Sequence, residues 1–164
     1  MKILLPLLLL LPFVGSGQQR KGYLQAYGGL SRSNEATTKG IAGISGGPKL
    51  GDAVGIGVGI GFIDFEKPYI PLTADLSFIP TRKKLNPIAG IKAGYGLFKY
   101  DPVIGTTVRG GFVSTAYAGI TLPGKSLRPN IMIGGTRYTF KSTYPTKSVV
   151  TDDKRFFAAI GILF

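Results

Sequence analysis

A chain of 164 residues is long enough for one domain, and this one contains no Cys, His or Trp. That excludes a disulfide framework, a thiolate site and the usual zinc and copper ligand sets. The chain holds eight acids, but none has the spacing of a calcium loop, so neither a metal nor a cofactor is expected. With 25 glycines, 44% hydrophobic residues and no internal apolar run as long as a membrane helix, the composition suits a β-barrel in lipid. There, every backbone polar group finds its partner within the sheet. The net charge of +12 favours anionic surfaces. The basic residues are scattered and no nucleic-acid motif accompanies them, so no nucleic-acid partner is expected.

Residues 1–17, MKILLPLLLLLPFVGSG, have the three parts of a secretory signal. Lys2 is the positive start, Ile3 to Val14 the apolar stretch, and Gly15 and Gly17 the small residues before a cut at Gln18. The apolar stretch is short for a spanning helix and carries Pro6 and Pro12. Removal of 1–17 leaves 18–164 as the folded domain.

The remainder reads as eight strands, at 22–32, 38–46, 53–64, 69–79, 86–99, 107–121, 129–141 and 155–164. In the third, Val54, Ile56, Val58, Ile60 and Phe62 share one face, and Gly55, Gly57, Gly59 and Gly61 the other. Large apolar groups backed by glycine suit a narrow barrel wall, apolar face outward to lipid and glycine face inward under side chains from other strands. In the fourth, Ile70, Leu72, Ala74, Leu76 and Phe78 oppose Tyr69, Thr73, Asp75 and Ser77. In the fifth, Ala89, Ile91, Ala93, Tyr95 and Leu97 oppose Lys92 among glycines. The polar faces are expected to line the interior. Alternation alone is equally compatible with a soluble barrel of opposite sense. The leader, the glycine content and the final strand favour the membrane sense.

The final strand, RFFAAIGILF, places Phe156, Ala158, Ile160, Ile162 and Phe164 on one face, with an aromatic residue at each end of the row. Phe156, Ile160, Ile162 and Phe164 are the expected lipid-facing residues of this strand. With both termini on the periplasmic side, the outer connections are 33–37, 65–68, 100–106 and 142–154, the last being the longest. The inner turns are 47–52, 80–85 and 122–128.

An alternating strand closed by a terminal Phe resembles the C-terminal signature of bacterial outer-membrane barrels. Over nearly all of 22–164 the pattern resembles the small eight-stranded barrels of the OmpA and OmpX type. That resemblance implies an all-β, antiparallel, up-and-down transmembrane barrel after a cleaved signal peptide. It also implies that the barrel assembly machinery reads residues 155–164. The best-known related barrels that are enzymes use a histidine base, which this chain lacks, and a serine without a base is a poor nucleophile. Ser77, Ser114, Ser142 and Ser148 are therefore read as interior or loop residues, and no enzyme is expected.

Asp75, Lys92, Arg109 and Arg137 fall within strands on faces able to point inward. They are read as a charge network filling the interior, with an ion path as the alternative. The eight tyrosines are assigned to the interfaces and to interior space beside glycine. Asp152, Asp153 and Lys154 are placed at a solvated loop tip.

The expectation is a non-enzymatic outer-membrane barrel with a structural or surface-interaction role through its external loops. Its partners would be outer-membrane lipid, lipopolysaccharide and a surface protein, with Lys99, Lys141, Lys147 and Lys154 meeting lipid phosphates. The alternatives are a narrow channel or small apolar-ligand carrier, and a soluble secreted lipocalin-like barrel.

Overall fold

The computed structural model describes residues 22–164 except 34, 36, 66–67, 81–84, 104–105 and 125. The expected signal segment 1–17, and residues 18–21 after it, lie outside the described residues.

Alternating apolar residues without a 3.6-residue period dictate strands, and strands are what form. They are β1 (Gly22–Ser33), β2 (Thr38–Leu50), β3 (Val54–Asp64), β4 (Pro68–Phe78), β5 (Asn86–Leu97), β6 (Lys99–Val103), β7 (Thr106–Thr121), β8 (Arg128–Thr143) and β9 (Ser148–Leu163). β5 and β6 are one stave interrupted at Phe98, and both pair with β7. Successive staves pair antiparallel and β1 pairs with β9, so the sheet closes as an eight-stranded up-and-down barrel. Closure pairs the strands of the wall on both sides, while Ser148–Lys154 of β9 projects beyond it and pairs with β8 alone among the described residues.

The alternation sorts side chains as the sequence predicts through β3, β4, β5 and β9. Val58, Leu72, Ile91 and Ile160 face outward, whereas Tyr69, Asp75, Ser77 and Lys92 are buried inside. The glycines make the barrel narrow. A Cβ at Gly55 would stand 2.6 Å from the Tyr23 ring, and one at Gly90 2.5 Å from the Tyr117 hydroxyl. A Cβ at Gly43 would lie 2.6 Å from the Tyr27 hydroxyl, and one at Gly96 would overlap the Tyr69 ring. Each tyrosine thus occupies the space that a missing side chain leaves on another strand.

Three connections differ from the sequence reading. The expected outer connection 100–106 is mostly strand, taken up by β6 to Val103 and by β7 from Thr106. The stretch 47–50 is not a turn. β2 runs on to Leu50, pairing Gly47 with Tyr23 and Pro48 with Gly22 on β1. On the other side its ladder to β3 stops after Gly46↔Val58 and resumes at Lys49↔Gly55, where Pro48 has no N–H to offer. The chain reverses instead at Gly51, whose φ of 64° suits a residue without a Cβ. The expected long loop 142–154 is likewise mostly strand. Ser142↔Val149 and Thr143↔Ser148 extend the β8–β9 ladder, and the Tyr144 N–H donates to the Lys147 carbonyl at 2.8 Å. Val149, Val150 and Thr151 are β-branched and suit a strand better than a loop. Asp152, Asp153 and Lys154 accordingly lie within β9, not at a loop tip.

Candidate functional site

The interior is stratified. Toward the turn at 144–147, Phe65, Tyr69, Phe98, Tyr138 and Phe140 form an aromatic layer with ring centroids 5.2 to 5.9 Å apart, mostly edge to face. Such arrangements set the positive ring edge against the negative face. Arg155 closes this layer, its guanidinium 4.9 Å from the Phe65 ring centre. It pairs with Asp153 at 2.8 Å and donates at 3.2 Å to both the carbonyl and the hydroxyl of Thr37. The other end is filled by Ile79, Ile88, Met132 and Leu163.

Between the layers lies the charged centre. Asp75 on β4 and Lys92 on β5 are directly opposite in register, with Lys92 Nζ 3.7 Å from Asp75 Oδ2. The Ser77 hydroxyl donates to Asp75 Oδ1 at 2.6 Å, and the Tyr23 hydroxyl to Oδ2 at 3.2 Å. Tyr117 donates to Ser77 Oγ at 3.1 Å. Lys92 donates to Ser45 Oγ at 3.1 Å and lies 4.7 Å from the Tyr27 ring centre. The network draws on β1, β2, β4, β5 and β7. It binds across the interior strands that do not pair along the sheet. A cavity of about 40 Å³ adjoins it, lined by Tyr27, Lys92, Thr115, Thr136 and Tyr138 among others. The cavity is roomy and polar enough for ordered water.

Of the four charged residues singled out in the sequence, the structure therefore brings together Asp75 and Lys92. Arg109 and Arg137 stand on the outer face. Arg137 is displaced from the interior by strict alternation, since Thr136 and Tyr138 on either side are buried. Arg109 is displaced by an irregularity. The β7–β8 register shifts between Gly110 and Val113, inserting one extra residue into β7. A bulge reverses the facing of everything beyond it. Arg109 would otherwise share the inward face of Val113, Thr115 and Tyr117. Gly110 accommodates the distortion: its N–H donates to the Phe98 carbonyl at 2.9 Å, and a Cβ there would overlap the Gly96 carbonyl.

The sequence reading missed Arg155, the bond from Tyr23 to Asp75, and Lys49, which is buried and donates to the Ile79 carbonyl at 3.3 Å. Arg155 carried a usable signal, because alternation in β9 puts it on the face of Phe157, Ala159, Gly161 and Leu163. Tyr23, Ser45 and Tyr117 could not be joined to Asp75 without the register. The outward row of β9 is as expected: Phe156 and Ile160 are each 71% exposed, and Ile162 and Phe164 also face out.

The outer wall of β3 to β5 is apolar too, through Val58, Ile60, Leu72, Leu76, Ile91 and Leu97. The barrel therefore carries an apolar outer wall around an interior in which a buried ion pair lies between apolar layers. Comparison with protein-family models and with curated proteins finds no match. The class that the fold and its faces define is a closed, eight-stranded, plugged β-barrel with an apolar exterior.

Proposed function

We propose that this chain is a bacterial outer-membrane barrel of the small OmpA/OmpX type, with a structural or surface-interaction role and no catalytic activity. The observation that carries the reading is the apolar outer wall, with Val58, Ile131, Ile160 and Phe156 projecting outside while Asp75 and Lys92 are paired inside. Water on that outer wall would cost roughly 25 cal/mol per Å² of apolar surface left exposed, a penalty that acyl chains remove. The signal-like residues 1–17 supply the export route this reading requires. The outward row ending at Phe164 supplies the strand that the barrel assembly machinery would read.

The filled interior favours a structural role over conduction, since an aromatic layer and an aliphatic end lie on either side of the charged centre. Contact with the outside falls to the projecting ends of β7, β8 and β9. The β8–β9 connection is only the turn at 144–147, so strand ends replace the expected long loop as the surface on offer.

Fractionation of cells expressing the full chain tests this reading. The protein is expected in the outer-membrane fraction, with residues 1–17 removed and a gel mobility that changes on boiling. Recovery as a soluble periplasmic protein without that change would refute the membrane assignment.

A further inference from the structure

We infer that the outer wall of β5–β9 carries a binding site for a phosphate-bearing lipid, with cations that hold the head group above a groove that seats an acyl chain. This rests on the membrane reading above and names its lipid partner.

Register supplies the first observation. Lys99, Arg109 and Lys141 lie opposite one another on β6, β7 and β8, and all three face outward. Further toward the belt, Arg137 on β8 opposes Lys154 on β9. Cβ atoms of directly opposed residues lie about 4.5–5.5 Å apart, and like charges so placed repel. Asp152 engages Arg137. Arg109, Arg137, Lys141 and Lys154 outnumber that carboxylate, so a positive patch remains, which an anion would stabilise. Phosphate suits it best, because guanidinium presents a planar fork to phosphate oxygens and ammonium a compact charge.

The second observation is independent of charge. Directly below, a groove of about 500 Å³ runs along the wall, with Ile91 and Phe156 at its sides. Its floor is made of small residues, Ala93, Ser114, Ala116 and Gly135, and Arg137 and Lys154 stand at its upper rim. Register aligns these residues in two rows: Ala93, Ser114, Arg137 and Lys154, then Ile91, Ala116, Gly135 and Phe156. An apolar hollow spread across β5, β7, β8 and β9 beneath a cationic rim suits the head group and first acyl segment of a lipid better than a free anion. The patch also lies where the apolar belt gives way to the projecting strand ends, the depth at which head groups sit.

The test uses residues 18–164 refolded into phosphocholine vesicles with and without phosphatidylglycerol, reading the thermal unfolding midpoint. Phosphatidylglycerol is expected to raise the midpoint, and inorganic phosphate in solution is not. Lys141→Ala/Lys154→Ala is expected to lose at least half of that rise. Lys83→Ala/Lys84→Ala removes the same charge from the connection between β4 and β5 and is expected to keep most of it. Gly135→Leu leaves every charge in place but fills the groove. A Cβ there meets its nearest neighbour, the Arg155 carbonyl, only at 3.8 Å, so the barrel should fold normally. It is nonetheless expected to lose much of the lipid-dependent rise.

An equal loss in both charge variants, an undiminished rise in Gly135→Leu, or the same rise with inorganic phosphate would each overturn the site while leaving the barrel intact. A chain that fails to acquire heat-modifiable mobility in phosphocholine vesicles would overturn the membrane reading itself, and this site with it.

Discussion

Valine at Gly96 is expected to destabilise the barrel severely, by at least the 1–3 kcal/mol typical of overpacking. The added Cβ would fall within the ring of Tyr69, which has no solvent exposure at all. The ring cannot swing clear. Phe65, Phe98, Tyr138 and Phe140 surround it with centroids 5.8, 5.9, 5.2 and 5.5 Å away. Its hydroxyl is also directed at the Gly111 carbonyl, 3.5 Å away. Relief must come from the β4–β5 pairing or from the aromatic layer, and either affects the whole barrel. The check is guanidinium unfolding of the refolded barrel, with Tyr69→Ala as the companion. Tyr69→Ala alone should cost about 3–5 kcal/mol through the cavity it leaves. In the double variant the valine occupies part of that cavity, so the two losses should combine to clearly less than their sum. Strict additivity would mean that Tyr69 does not sit over Gly96.

Lys92→Met is expected to cost about 3–5 kcal/mol, because it leaves a buried carboxylate without its cation. The Asp75 side chain has 0% exposure and Lys92 7%, so solvent does not screen the pair. Ser77 and Tyr23 would still donate to the carboxylate, which limits the damage but does not neutralise the charge. Asp75→Asn/Lys92→Met should restore most of the loss. The amide oxygen can accept from Ser77, the amide nitrogen can donate to Tyr23, and no net charge remains buried. Chemical unfolding of the single and double variants measures the coupling directly. A neutral Lys92→Met would show that the carboxylate does not depend on this ammonium.

Both predictions concern contacts whose parts were visible in the sequence but whose pairing was not. Alternation without interruption made the two faces of β3, β4, β5 and β9 legible, and the leader, the glycine content and the final strand indicated which would turn outward. The glycine rows announced that something large must lie over them. Which tyrosine covers which glycine depends on the stagger between strands, and no local pattern encodes it. Asp75 and Lys92 were both assigned inward, yet their direct opposition follows from the β4–β5 register.

The misplacements have definite causes. Arg109 lies beyond an irregularity that reverses the alternation, so counting residues back from Val113 gives the wrong face. Residues 47–50 are of types that favour turns, but β1 offers them partners, and Asp152, Asp153 and Lys154 are carried into the β8–β9 ladder behind the β-branched Val149, Val150 and Thr151. In a closed sheet a segment of weak strand propensity is carried by its neighbours. Arg155 was readable from alternation alone, whereas its contacts with Thr37 and Phe65 required the fold.

The solvent that meets the outer wall separates a membrane barrel from a soluble one, and the absence of cysteine makes it measurable one position at a time. Single cysteines at Val58, Ile131 and Ile160, each labelled with an environment-sensitive fluorophore, would report from the outer wall of the refolded barrel in vesicles. Cysteine at Thr115 would report from the interior. Brominated acyl chains should quench the three outer probes while aqueous iodide leaves them bright, and the interior cysteine should label only after unfolding. Outer probes quenched by iodide and untouched by brominated lipid would place that wall in water and contradict the membrane barrel.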